Sequence, residues 1–145
     1  VGGMGHASAI ALGVAGTDTA RDVWCFDGDG AALMHMGTMA NIADHGSDNY
    51  FHVVFNNGVH DSVGGQPTSI SVVDLEATAL ALGYGSAAST ESLDEIPDIV
   101  SRMRAAAGPS FLEVRVCPGA RSDLGRPTRT PRESRDRFID AVAPR

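Results

Sequence analysis

Small and apolar residues fill positions 5–15 (GHASAIALGVA), the pattern of a closely packed helix. Residues 22–27 (DVWCFD) read as a buried strand, broken by Gly28-Asp29-Gly30. Between 31 and 44, Leu33, Met34, Met36, Met39 and Ile42 recur at helical spacing and predict one helix with an apolar face. A second strand covers 51–55 (FHVVF) and stops at Asn56-Asn57-Gly58, and the polar, glycine-rich stretch 59–68 reads as loop. Asp74 is placed to open a helix over 74–82. A weak strand follows at 85–88, then an amphipathic helix over 93–106 and a strand over 110–116 (SFLEVRV). An extended arm leads to a short last helix over 132–142. Strands alternating with helices predict an α/β domain, a parallel sheet with helices on both faces.

Composition narrows the chemistry. The 145 residues suit a single domain, with 1–119 as its α/β body and 120–145 as an arginine-rich arm and helix of the same domain. All 11 basic residues are arginine, so this chain offers no Schiff-base or P-loop lysine. A net charge of −7 argues against nucleic-acid binding, although the segment 120–145 carries 7 Arg against 4 acids. No membrane span or signal peptide is evident, and a cytoplasmic protein is expected. Opening at Val1 inside a glycine-rich motif, the chain reads as a fragment or a trimmed chain. Cys25 and Cys117 lie far apart without a CxxC pair, so two buried free thiols are expected rather than a zinc site or disulfide. His35, His45 and His52 have no metal-ligand spacing and read as solvated or satisfied in the core.

Three local motifs lead nowhere. Gly83-Tyr84-Gly85 followed by Ala88 fits a dinucleotide fingerprint, but a helix precedes it, so Gly83 reads as a helix terminator. Asp27-Gly28-Asp29 begins like a calcium loop, yet Ala31 and Leu33 offer no oxygen. Asn57-Gly58 would suit a hairpin turn, but a poor strand follows it.

The informative stretch is 28–68. If Asp29 and Asn57 end consecutive parallel strands, a right-handed crossover puts both at one sheet edge, where open α/β sheets bind ligands. Gly28 and Gly30 let the backbone approach a ligand, and a helix opening at Ala31 points free N–H groups at the same spot. A carboxylate and an amide oxygen are hard donors suited to Mg²⁺. These residues describe a magnesium–diphosphate site without naming the diphosphate.

Gly28-Asp29-Gly30, 25 intervening residues and then Asn56-Asn57 resemble the GDG…NN motif of thiamine-diphosphate enzymes. Gly2-Gly3-Met4-Gly5 resembles the pyrimidine-contacting turn of their decarboxylases. The resemblance implies the thiamine-diphosphate-binding fold, with thiamine diphosphate and Mg²⁺ as cofactors. By position, the side chains of Asp29 and Asn57 and the Val59 carbonyl would hold the metal. Gly28, Gly30 and Ala31 would line the diphosphate. The turn Gly2, Gly3 and Met4 would hold the aminopyrimidine, with Met4 also as the wedge that bends the cofactor. More narrowly, GDGAALMHMG, HVVFNNGVHDSVGGQPT and GARSDLGRPTRTP resemble the phosphonopyruvate decarboxylase family, whose relatives include sulfopyruvate decarboxylase β subunits. That likeness implies decarboxylation of a small anionic 2-keto acid. The HDSVGGQ segment disfavours acetolactate-synthase-like carboligation, and a noncatalytic diphosphate-binding module is the reading from another class.

His60, Asp61 and Ser62 would then face the cofactor. His60 is the candidate for proton transfer or for holding a substrate anion, with anchoring of Asp61 or the diphosphate as the alternative. Gln66 and Thr68 would belong to a lid hinged at Gly64-Gly65. Arg121, Arg126 and Arg129 would attract a phosphonate, or else pair with acidic groups of the body or a partner. The family's activating glutamate belongs to a pyrimidine-binding domain, and none of Glu76, Glu91, Glu95, Glu113 and Glu133 has a matching context. A pyrimidine-binding domain or α subunit is therefore the expected partner, in a homo- or hetero-oligomer.

Overall fold

The computed structural model describes residues 3–125 and 127–142. Four parallel strands, β1 (Val23–Gly28), β2 (Tyr50–Asn56), β3 (Ser86–Thr90) and β4 (Ser110–Arg115), lie in the order β1-β2-β4-β3. Among the described residues six α-helices accompany them: α1 (Ala7–Thr17), α2 (Asp29–Met34), α3 (Gly37–His45), α4 (Leu75–Leu82), α5 (Ile96–Ala105) and α6 (Pro131–Val142).

The two faces of the sheet follow from connection order. The chain moves one way across the sheet from β1 to β2 to β3, then steps back to β4. Right-handed crossovers put helices of forward steps on one face and that of the backward step on the other. Alternation along each strand supplies both cores. Cys25, Tyr50, Val54 and Phe111 pack with Ala15 of α1, Met39 and Ile42 of α3, and Leu75 and Ala79 of α4. Phe51, Val53, Leu112 and Val114 pack with Ile99 and Met103 of α5. Trp24 stacks on Phe51 at 4.3 Å. The expected sheet with helices on both faces is what forms.

Helix ends match their signals where a cap residue dictates them. Asp74 accepts a hydrogen bond from the Ala77 N–H at 2.8 Å, and Gly83 ends α4 at a φ of 108°, as a terminator rather than a nucleotide loop. Thr130 and Glu133 form a reciprocal capping box before α6, and the two Thr130 hydrogen bonds hold the Glu133 carboxyl below its ordinary pKa.

Three expectations need correction. The helix over 31–44 is two helices: His35 leaves helical geometry at φ −133°, ψ 43°, and α2 opens at Asp29, not Ala31. The turn ending at Gly5 is seated against α2 there. A Cβ on Gly5 would lie 2.4 Å from the His35 ring nitrogen and 2.8 Å from the Ala31 carbonyl, and its φ of 83° also requires glycine. The break divides the expected apolar face. Met39 and Ile42 are buried under α3, whereas Met34 is half exposed on α2. Finally, both cysteines are free but only Cys25 is buried, because Cys117 falls beyond the end of β4. No helix among the described residues is long and apolar enough to cross a membrane.

Candidate functional site

The β1–β2 register pairs Gly28 with Phe55, so Asp29 and Asn57 emerge side by side at the carboxyl edge of the sheet. A cleft of about 420 Å³ opens there. Met4, Gly28, Asp29, Gly30, Ala31, Asn57, Val59, His60, Asp61 and Ser62 all line it. Gly3 does not line it; that residue lies exposed in the preceding turn, its carbonyl accepting from the His6 N–H at 3.1 Å. Gly2 lies outside the described residues. Phe26 and Phe55, which the sequence pattern did not mark, form an apolar wall with ring centroids 6.0 Å apart.

Asp29 is buried at the first turn of α2, and its Oδ2 accepts a hydrogen bond from the Thr68 hydroxyl at 2.5 Å. Thr68 is itself buried, and its N–H donates to the Gly58 carbonyl at 2.9 Å. It belongs to the frame of the site rather than to a lid, while Gln66 stays on the exposed loop. An isolated antiparallel bridge between Val59 and Pro67, and the His60 N–H to Gln66 carbonyl bond at 2.8 Å, close that loop without making a strand hairpin.

Each asparagine of the pair folds its own turn. Asn56 Oδ1 accepts from the Gly58 N–H at 3.0 Å, and Asn57 Oδ1 accepts from the Val59 N–H at 3.1 Å. Asn57 Nδ2 donates to Asp61 Oδ2 at 2.8 Å, and the same oxygen accepts from the Gly119 N–H at 2.8 Å. Asp61 is thus tied to the asparagine and to the start of the C-terminal arm, not to His60. The His60 ring packs instead over Gly30, where a Cβ would lie 2.5 Å from Nδ1. Glycine at 30 makes room for this histidine, a different reason from the ligand approach expected. At Gly28 the Cβ direction is open.

Behind the pair lies Glu113, 3% exposed in β4. Its Oε1 accepts from Asn56 Nδ2 at 2.7 Å and its Oε2 from the Ser89 hydroxyl at 2.6 Å, with Arg115 Nε 3.4 Å away. The pairing of Glu113 with Asn56 and the framing role of Thr68 escaped the sequence reading. The available signal was an acid in the middle of the otherwise buried strand SFLEV, which demands a partner. Of the arm, Arg121 pairs with Asp123 at 2.9 Å, Arg129 is exposed, and Arg126 lies outside the described residues.

A carboxylate, an amide oxygen and a nearby backbone carbonyl in one cleft make a hard oxygen donor set. The glycine-flanked start of α2 adds N–H groups beside open space. The residues present therefore fit a divalent cation carrying a diphosphate.

Comparison with known proteins agrees with this geometry. The family model for the C-terminal TPP-binding domain of thiamine pyrophosphate enzymes matches residues 1–114. Phosphonopyruvate decarboxylase of Streptomyces viridochromogenes is 44% identical over 138 residues, covering 95% of this chain and 34% of that protein. The β subunit of sulfopyruvate decarboxylase from Methanothermobacter thermautotrophicus is 34% identical over 119 residues, 82% of this chain and 61% of that protein. An X-ray structure assigned as a thiamin diphosphate-dependent enzyme from Mycobacterium smegmatis superposes with a TM-score of 0.69 at 28% identity, over 81% of this chain and 23% of that one. The chain spans about a third of the length of the phosphonopyruvate decarboxylases it matches. Fold, cleft and sequence together place it in the thiamine pyrophosphate enzyme family, as a C-terminal TPP-binding domain.

Proposed function

We propose that this chain is the diphosphate-binding half of a thiamine-diphosphate-dependent decarboxylase that converts 3-phosphonopyruvate to 2-phosphonoacetaldehyde and CO₂. Identity across 95% of the chain to phosphonopyruvate decarboxylase, at 44% against 34% for the sulfopyruvate β subunit, supports that substrate. The observation that carries the site assignment is the gathering of Asp29, Asn57 and Val59 around one cleft at the β1 and β2 ends.

When bound, thiamine diphosphate supplies an electron sink for the departure of CO₂ from a 2-keto acid. The chain's own residues do the rest. Asp29, held in one orientation by Thr68, and the side-chain oxygen of Asn57 grip Mg²⁺ together with the Val59 carbonyl. An amide oxygen has two lone pairs, so the turn bond to the Val59 N–H leaves one for the metal. Gly28, Gly30 and Ala31 present the start of α2 to the diphosphate. Met4, at the cleft wall, receives the aminopyrimidine, with Gly2 assigned to it by the resemblance of the turn. Asp61 and Ser62 close the cofactor side, and His60 delivers or receives a proton at the reacting carbon. Residues 120–145 serve as an arm of the same domain, leaving the site past Gly119. Among the described residues no glutamate lines the cleft, which supports a pyrimidine-binding domain or α subunit as the source of the activating glutamate. We place the assembled oligomer in the cytoplasm.

The test combines this chain with the pyrimidine-binding half, thiamine diphosphate and Mg²⁺. CO₂ release from 3-phosphonopyruvate, faster than from sulfopyruvate and absent with either half alone, is expected. Turnover by this chain alone would contradict the split site. Nucleotide binding without a partner, and no thiamine diphosphate binding with one, would favour a noncatalytic module.

A further inference from the structure

Under the α1 face of the sheet lies a second polar cluster, Cys25, Asp27 and His52, of which only Asp27 also borders the cofactor cleft. Cys25 and His52 are register partners on β1 and β2, and Asp27 sits two residues beyond Cys25 on the same strand face. Relative exposures are 4%, 8% and 1% for Cys25, Asp27 and His52. One ligand atom from each, a sulfur, a carboxylate oxygen and a ring nitrogen, lies within 4.8 Å of the other two.

Their hydrogen bonding is incomplete. Asp27 Oδ2 and both ring nitrogens of His52 are buried without a partner, and so is the nearby Tyr84 hydroxyl. The His52 Nε2 to Asp27 Oδ2 separation is 3.6 Å, too long for a hydrogen bond. The rings of Tyr50 and Phe111 pack edgewise with that of His52, at centroid distances of 6.3 and 5.5 Å, in a largely apolar surrounding. Buried polar groups without partners cost free energy, and three together in one core require an explanation.

We propose that Cys25, Asp27 and His52 form a buried site for a zinc-class divalent ion, bound through thiolate sulfur, one carboxylate oxygen and one imidazole nitrogen. Two nitrogen or oxygen ligands about 2.0–2.1 Å from a tetrahedral ion lie about 3.4 Å apart, close to the separation seen and unlike that of a shared proton. A thiolate and a carboxylate neutralise the ion's two positive charges, so the occupied site buries no net charge. Binding releases the Cys25 proton. The mixed sulfur, nitrogen and oxygen set selects against Mg²⁺, which takes oxygen ligands, and so separates this site from the cleft above it. No spacing cue marks the site along the chain, because it is assembled across two register-paired strands rather than within one segment.

Cobalt substitution tests this directly in the full-length protein. Co²⁺ added to chelator-treated protein is expected to bind with a thiolate-to-cobalt charge-transfer band, which an all-oxygen cleft cannot produce. The band should persist in Cys117→Ser and vanish in Cys25→Ser, and Zn²⁺ should displace it. His52→Gln should weaken Co²⁺ binding by more than the roughly 10–100-fold that loss of an outer-shell partner costs. If Cys25→Ser fails to fold, the wild-type band and its persistence in Cys117→Ser still decide the matter. No charge-transfer band in the wild-type protein, or a band that follows Cys117 instead, would overturn the proposal.

Discussion

Glu113 ties β4 to the asparagine turn behind the candidate site, so its removal gives a demanding test. The carboxylate is 3% exposed and accepts two short bonds, from Asn56 Nδ2 at 2.7 Å and the Ser89 hydroxyl at 2.6 Å. Hydrogen bonds to a charged group each contribute about 1.5–3 kcal/mol. Asn56 and Ser89 are only half-buried and regain some water once the acid is gone, so Glu113→Ala should cost about 3 kcal/mol, toward the low end of the summed range. Arg115 adds little, since its side chain is half exposed. Glu113→Gln can still accept from Asn56 through its carbonyl oxygen and donate to the Ser89 oxygen, and should cost about 1 kcal/mol. The loss should also reach the cofactor. With Asn56 untied, the turn that orients Asn57 loosens, and Mg²⁺-dependent thiamine diphosphate binding should weaken about tenfold in Ala, equivalent to about 1.4 kcal/mol, and recover in Gln. Urea denaturation and calorimetric titration measure the two effects. Alanine and glutamine variants that match within about 0.5 kcal/mol in both assays would refute the role given to this carboxylate.

Other outcomes follow from the same geometry. Gly30→Ala puts a methyl 2.5 Å from His60 Nδ1 and should displace the ring, lowering kcat of the assembled enzyme, while urea stability changes by less than about 1 kcal/mol because alanine favours the helix. Thr68→Val removes the hydroxyl bonded to Asp29 and should destabilise by about 1.5–3 kcal/mol, with Thr68→Ser recovering most of it in the same titration. In chelator-treated protein, Cys117 should react quickly with a thiol reagent and Cys25 only on unfolding. Burial, reinforced by Asp27, pushes the Cys25 thiol from 9.0 up to about 11, so raising the pH from about 8 to about 10 should leave Cys25 unreactive in the folded protein.

What could be read along the chain and what could not divide on physical grounds. Strands and capped helices were legible because their signals are local: residues 51–54 (FHVV) are buried on both faces in β2, and Asp74 and Gly83 bracket α4 through bonds within a few residues. The GDG and NN segments were legible as one site because a parallel crossover leaves only one edge for both strand ends. The break between α2 and α3 was not, since it depends on the distant Gly5 turn packed against His35 and Ala31. Glu113 and Thr68 act over 57 and 39 positions on Asn56 and Asp29, and no local pattern carries that pairing. Cys25, Asp27 and His52 show the same limit: each looks ordinary in its own strand, and only the register brings them together.

The cation grip of Asp29 can be measured most directly by titrating thiamine diphosphate into the chain assembled with its pyrimidine-binding half, with and without Mg²⁺, in wild type and Asp29→Asn. The substitution keeps the shape of the side chain and a partner for Thr68 while removing the negative charge. Binding that requires Mg²⁺ in wild type and weakens by more than about 100-fold in Asp29→Asn, at an unchanged melting temperature, is the expected result. Equal affinity in the two proteins, or binding indifferent to Mg²⁺, would contradict it.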